Sequence, residues 1–516
     1  MRSSRWMATR WAVLALAAAL PAGSCRDETP GSVVAVSRQP HVAPDCDGAV
    51  IPPNLAPLNF AIREPGRRYH ATIRSVAGGT IEIASRTGKI EIPRGKWRDL
   101  LTRNAGNELR IEVSVKAGDG TWSRYQPLVI AIATEPIDPY LVYRYMTPSS
   151  YFPKPMCIRQ RDIESFEDTE VLDTTSFGNG CAHCHTFLNN RPDPILLGMR
   201  SVSLPSATLH GHNGRVDKIG EKFGYTAWHP SGKLVTYSVN DVRQFFHTAR
   251  EEIHDVVDLD SAIFCYDVER AKVKTAPALA DKKRLETYPA WTPDGKVLYF
   301  CSAPLLWEGT TTVPPARYRE VQYDLMRIGY DLDTDRWGEL ETVLRAADTG
   351  LSILLPRVSP DGRFLLFCMA EYGCFPIYQP TSDFYLMDLQ TGAYRKATIN
   401  SDYADAWHSW SSNSRWIVFS SKREGGLFTR AFISHVDADG RMGKPFVLPQ
   451  RSPSFYDSCY CVYNTPELVA GPVPVDNKTL LQAIVGPTQI HVDSATGATP
   501  KTNAAETYKA GQASVQ

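Results

Sequence analysis

The chain has 516 residues, 43% of them hydrophobic and 22% charged, with Lys+Arg and Asp+Glu both at 56. That length suits about two to four globular domains, and the composition excludes a disordered chain. The charge balance lacks the basic excess of a nucleic-acid binder, and beyond the leader no run reaches the roughly 18 apolar residues of a membrane helix.

Residues 1–25 read as a signal peptide. Arg2, Arg5 and Arg10 precede the apolar "WAVLALAAAL", and Ala22-Gly23-Ser24 lead to Cys25. A cysteine after small residues is the pattern of a bacterial lipobox, although the usual leucine is replaced by Ala22. The expectation is an exported protein, periplasmic or on the outer membrane or cell surface, lipid-anchored through Cys25, with simple secretion as the alternative. Residues 26–48 are polar and suit a linker.

From 49 to 135, short alternating runs ("YHATIRS", "TIEIAS", "LRIEVSV", "PLVIAIA") are separated by turns such as "AGG" and "AGDG". Alternation with glycine turns predicts a small antiparallel, sandwich-like β domain. Residues 136–189 carry fewer alternating runs and read as a loop segment. It closes on "CAHCH", residues 181–185.

Two cysteines at this spacing can meet the two vinyl groups of one porphyrin, and the histidine that follows can reach the iron. The pattern predicts one covalent haem c on Cys181 and Cys184, with His185 as proximal ligand. A thioredoxin-like pair would need a βαβ setting, and a structural zinc site a second cysteine pair. A plain disulfide or two buried thiols are the bland alternatives. For the sixth iron position, Met199 in "ILLGMR" is the distal ligand candidate, with an ordinary strand-core residue as its alternative reading and His210, His212 and Met156 as further candidates. His183 is expected to face solvent, and His229 and His408 to make structural hydrogen bonds. Cys265, Cys301 and Cys368 lie in strand-like runs and are expected to be buried free thiols.

A repeat then takes over: "YTAWHPSGKLVTYSV", "YPAWTPDGKVLYFCS", "LPRVSPDGRFLLFCM" and "WHSWSSNSRWIVFSS". Their turn residues Gly232, Gly295, Gly362 and Ser414 are 63, 67 and 52 residues apart. One such unit cannot bury both faces of its sheet, but several packed radially can. The reading is all-β, with a β-propeller over 190–495 of six blades, or five as the alternative. "ILLGMRSVSL" and "TLLQAIVGPTQIHVD" would supply strands beyond the four explicit units, and 496–516 would be a disordered tail.

These blades resemble those of TolB-type, WD40-like propellers. "IPPNLAPLNF" (51–60), "RQRDIESFED" (159–168), the cysteine motif, "WHPSGK" and "HSWSSNSRWIVFSSKREGGLFTRAF" together resemble exported bacterial TolB-like propellers that carry a single c-haem motif. The resemblance implies haem binding and electron transfer to a redox partner protein, but no established reaction. "Ser-Asn-Ser" in place of Pro-Asp-Gly is its one clear departure. An interaction module with a structural or sensory haem is the alternative function, and a haem enzyme such as a peroxidase a third. No P-loop, Gly-x-Ser-x-Gly or His-Glu-x-x-His motif is present, and no small-molecule substrate is evident.

Overall fold

The computed structural model describes residues 30–492, apart from 31, 149–155, 202, 249, 251, 310 and 311. Cys25, the rest of the signal segment and the 496–516 tail lie outside the described residues.

Six four-stranded antiparallel sheets form the blades of a β-propeller. Blade 2 runs from Cys181–Phe187 to Arg215–Ile219, and blade 3 from Gly224–Trp228 to Lys272–Lys274. Blade 4 spans Arg284–Trp291 to Arg336–Leu344, blade 5 Ser352–Val358 to Tyr394–Lys396, and blade 6 Asp405–Trp410 to Phe446–Val447. Blade 1 is assembled from both ends of the ring. Its outer strands are Tyr140–Met146, Met156–Asp162 and Asp168–Asp173, and its innermost strand is Val462–Val469. The pairing of Tyr140 with Val469 and Met146 with Val462 closes the circle.

The ring therefore begins at Tyr140, not at 190. The segment expected to be an irregular haem loop is the outer part of blade 1 plus the first strand of blade 2. Its regularity escapes a sequence reading because the inner partner of blade 1 lies some 300 residues away. At the other end, "TLLQAIVG" forms the helix Asn477–Val485 instead of a strand. Asp476 caps it by accepting from the Thr479 amide, and Leu480 and Ile484, four apart, are its buried face.

The four repeat turns behave as their composition dictates. Gly232, Gly295 and Gly362 have φ of 75°, 71° and 74°, and Ser414 takes the same left-handed conformation at 61°. Ser414 also accepts a hydrogen bond from the Asp361 amide through its hydroxyl (2.9 Å). Ser-Asn-Ser thus preserves the turn.

The N-terminal domain holds a seven-stranded and a three-stranded sheet. The strand Val33–Ala35 pairs with Trp122–Arg124, and Cys46 is buried, so residues 32–48 belong to this domain and are not a linker. A helix, Arg94–Arg103, adds Trp97, Leu100 and Leu101 to its core. The same core continues into blade 6 through Trp416, Val418, Ile433 and Phe446. Trp416 Nε1 donates to the Glu135 carbonyl (3.2 Å), fixing the domain to the ring.

His229 shows how blades grip one another. Its Nδ1 meets Ser231 Oγ (2.7 Å) and its Nε2 the Gly295 carbonyl of the next blade (3.0 Å). A Cβ at Gly295 would sit 2.4 Å from His229 Nε2, whereas one at Gly392 (φ 75°) meets nothing within 4 Å. Gly392→Ala should cost only the left-handed penalty of about 1–2 kcal/mol, and Gly295→Ala more than that. Urea unfolding midpoints for the two variants measure the difference.

Candidate functional site

The innermost strand of every blade carries the same irregularity. Two of its residues pass one residue of the neighbouring strand, and the first of the two has left-handed backbone. The six first positions are Thr465, Cys184, Tyr225, Tyr288, Leu355 and Trp407, with φ between 44° and 55°. The six second positions are Pro466, His185, Thr226, Pro289, Pro356 and His408. In a regular strand Cys181 and Cys184, three apart, would face opposite sides. The bulge removes that alternation, and Cys181, His183, Cys184 and His185 all line one central cavity of about 570 Å³. Its size falls in the range of sites for drug-sized ligands and cofactors.

The long hairpin of blade 3, Leu234–Phe246 with His254–Asp267, contributes Val242, Gln244 and Val256 to the cavity wall. It is held over the ring at several points. Asp255 accepts from Tyr372 Oη (2.7 Å) and Gln379 Nε2 (3.3 Å), and Glu252 pairs with Lys422 of blade 6. Aromatic rings connect the wall to this hairpin. Tyr225 stacks with Trp407 (centroids 6.1 Å apart), and Trp407 meets Phe375 (5.3 Å), which meets Tyr378 (5.2 Å) and then His254 (5.3 Å).

The wall is electropositive. Arg144, Arg200, Lys222 and Arg357 line it against Glu221 and Glu467. Among the described residues Arg144, Arg200 and Lys222 form no ion pair, and Nε of both Arg144 and Arg200 lacks a hydrogen-bond partner. Burial, helped by the nearby Arg200, lowers Lys222 to about 8. Burial raises Glu467 to about 7 despite Arg357, 3.7 Å away, and raises Glu221 as well.

Charge also separates the two thiols. Burial pushes Cys181 up, but Arg200 and Arg144 outweigh it, so the thiol sits below its ordinary value. Arg200 Nη2 lies 3.5 Å from Cys181 Sγ. Burial prevails at Cys184 and raises it, although the Tyr225 amide donates to its sulfur (3.4 Å). Burial, followed by the charge of Arg144, lowers His185 to about 4, so its imidazole is neutral at pH 7.

His185 and His408 hold equivalent positions in blades 2 and 6, and they differ in one respect. His408 Nε2 meets the Leu366 carbonyl (2.9 Å), whereas neither ring nitrogen of His185 makes a well-formed hydrogen bond, the backbone of Val142 and Thr465 interacting with it only weakly. A buried imidazole without a well-formed hydrogen bond is costly in a native fold unless something else satisfies it. Two cysteines, a buried neutral imidazole and unpaired cations around one cavity fit a haem and its two carboxylates. Cys181 and Cys184 would hold it, His185 would face the iron, and Arg200, Arg144 and Lys222 would meet the carboxylates.

Other expected positions move. Met199 is 1% exposed, opposite Ala182 in the second strand of blade 2, packed in a core with Val142, Leu197 and Leu209. It does not line the cavity, and neither do His210 and His212 on the third strand. Every side chain of "ILLGM" is buried, so alternation along it cannot show which face meets the axis. The methionines that do line the wall are Met146 and Met156, clustered with Cys181. His183 is buried, not solvent-facing. Its ring lies over Gly198, where a Cβ would come within 2.6 Å of Cε1, and its Nε2 is unpartnered. Cys265, Cys301 and Cys368 are buried free thiols.

No protein-family model matches the chain, and no curated protein matches it. Similar solved structures include an oligogalacturonate lyase in complex with manganese, at 13% identity and TM-score 0.35, covering 60% of this chain and 72% of that one. An oligogalacturonate lyase from Vibrio parahaemolyticus matches at 10% identity and TM-score 0.30 over 58% and 92%. A prolyl endopeptidase matches at 15% identity and TM-score 0.33 over 52% of this chain and 36% of its own length.

Glu467 gives the cavity wall a pH signature. Its folded value is raised to about 7 from 4.5, so its contribution is fully present below pH 4.5 and lost as pH rises through about 7. Glu467→Gln cannot ionise and escapes that loss. Thermal melts of the purified protein at pH 4.5, 6 and 8 should show the variant gaining on wild type at each step.

Proposed function

We propose that this chain is an exported mono-haem c-type cytochrome whose haem occupies the central channel of the propeller, and that it transfers electrons to a protein partner. The single observation that carries the reading is His185, buried without a well-formed hydrogen bond, beside Cys181 and Cys184 on one cavity wall. The resemblance of the motif order to exported TolB-like haem propellers supports it. When bound, haem supplies a one-electron iron couple.

The chain's own groups are suited to their parts. Arg200 and Arg144 lower the Cys181 thiol against the opposing effect of burial, which favours its reactive form. Burial keeps His185 neutral, with a lone pair available for a metal. The bulge holds Cys184 and His185 against the channel, where a regular strand would turn one of them away. The hairpin of blade 3 adds Val242, Gln244 and Val256 to the wall of the site. The role of sixth ligand passes from Met199 to the wall residues Met146, Met156 and His183, each of which carries a donor atom.

Covalent attachment survives denaturation, so protein exported from a host that matures c-type cytochromes should retain a haem stain on a denaturing gel. Cys181→Ala/Cys184→Ala should abolish the stain, and His185→Ala should yield less holoprotein with a high-spin spectrum. A stain that persists in the double variant, or is missing from the wild type, rules the reading out.

The leader supports the second half of the reading, export with a lipid on Cys25. Cys25→Ser should then move the protein from the membrane fraction to the soluble fraction. Unchanged partitioning of that variant would refute lipid anchoring.

A further inference from the structure

Away from the channel, blade 2 carries a second group of donor atoms. His210 and His212 lie two apart on the strand Ala207–His212 and so project from the same face. Asp217 stands opposite His210 in the register of the next strand. One nitrogen of each imidazole and one carboxylate oxygen of Asp217 all lie within 4.8 Å of one another. His212 Nε2 is 2.7 Å from Asp217 Oδ2, and the two imidazoles stack with centroids 4.6 Å apart.

An ion pair between His212 and Asp217 accounts for those two residues alone. It leaves two neighbours unexplained. The ring of His210 makes no side-chain hydrogen bond among the described residues, although it stacks on His212. Trp228 of blade 3 packs beside it, with ring centroids 5.7 Å apart. Trp228 is 8% exposed, and its buried Nε1 has no acceptor. An imidazole without a hydrogen-bond partner and an indole N–H without an acceptor, in neighbouring rings, suit a metal ion carrying a bound water.

We propose that His210, His212 and Asp217 form a divalent transition-metal site of the zinc class, with water completing the coordination. Two imidazoles and one carboxylate suit zinc and its neighbours and do not suit calcium or magnesium, which take oxygen ligands. Three protein ligands leave at least one position for solvent, and the side chains of His212 and Asp217 are 32% and 45% exposed. Metal binding would draw the ligand atoms, now within 4.8 Å of one another, closer together, and the part-exposed side chains of His212 and Asp217 have room to rotate. The site is independent of haem in the channel.

The test uses the full chain carrying Cys181→Ser/Cys184→Ser, stripped with chelator, so that neither thiol competes for metal. Calorimetric titration with Zn2+ should show one saturable site. His212→Ala and Asp217→Asn should each weaken it by more than the roughly 10–100-fold typical of losing a supporting partner. Cu2+ as a second probe should show coupling to two nitrogens by electron paramagnetic resonance, falling to one in His212→Ala. Circular dichroism of the part-exposed variants controls for folding. Absence of a one-to-one Zn2+ site, or unchanged affinity in both variants, would overturn the proposal whatever the outcome of the haem stain.

Discussion

Six inner strands converge on one axis, and each meets the crowding there with the same device, a two-for-one bulge whose first residue takes a left-handed backbone. Such a conformation costs a residue other than glycine about 1–2 kcal/mol. It persists because the residue opposite each bulge fills the space behind it. Those residues are Tyr143, Leu197, Tyr237, Phe300, Phe367 and Phe419, each essentially fully buried. The bulge decides what faces the channel. In blade 2 it brings Cys184 and His185 to the wall that already holds Cys181, and without it the motif would be split across the sheet.

The ring also explains why chemistry concentrates in one sector. Blades 1, 4 and 5 place proline at the second bulge position, where it removes an amide that would otherwise need a partner. Blades 2 and 6 place histidine there. His408 places Nε2 on a carbonyl of blade 5, which offsets part of its cost of burial. His185 makes no such well-formed bond, with only a weak interaction with the backbone of Val142 and Thr465 on blade 1. Around it the wall gathers Arg144, Arg200 and Lys222, which form no ion pair among the described residues, while burial holds Glu467 and Glu221 toward their neutral forms. The sector therefore combines two thiols, a buried imidazole and three cations without ion pairs among the described residues.

Much of this was legible in the sequence, and the limits have physical causes. Blades 3 to 6 announce themselves because a turn with positive φ wants glycine and the strands on either side are apolar and bounded by turn residues. Ser414 shows that a small polar residue can take the same place when its hydroxyl gains an amide partner. Blades 1 and 2 lack that turn, and blade 1 is split between residues 140–173 and 462–469, so no local pattern can reveal it. The cysteine motif was recognisable from spacing alone, but its setting on a strand was not, because the bulge that makes the setting workable has no residue signature. Met199 misled for the opposite reason. In a blade buried on both faces, nearness in sequence to the motif carries no information about facing the axis.

The closure of blade 1 has a mechanical meaning. Tyr140 and Val469 are paired at the same end of the two strands that complete the ring, and the rest of the chain leaves from that end in both directions. A load pulling those flanks apart opens the seam as a zipper, one rung after another, where a shearing load would strain all rungs together. The N-terminal domain shares its core with blade 6 and is tied to it through Trp416, so it takes up such a load before the first rung does. It is a splint across the clasp, and the channel wall bearing Glu467 lies directly behind the clasp it protects.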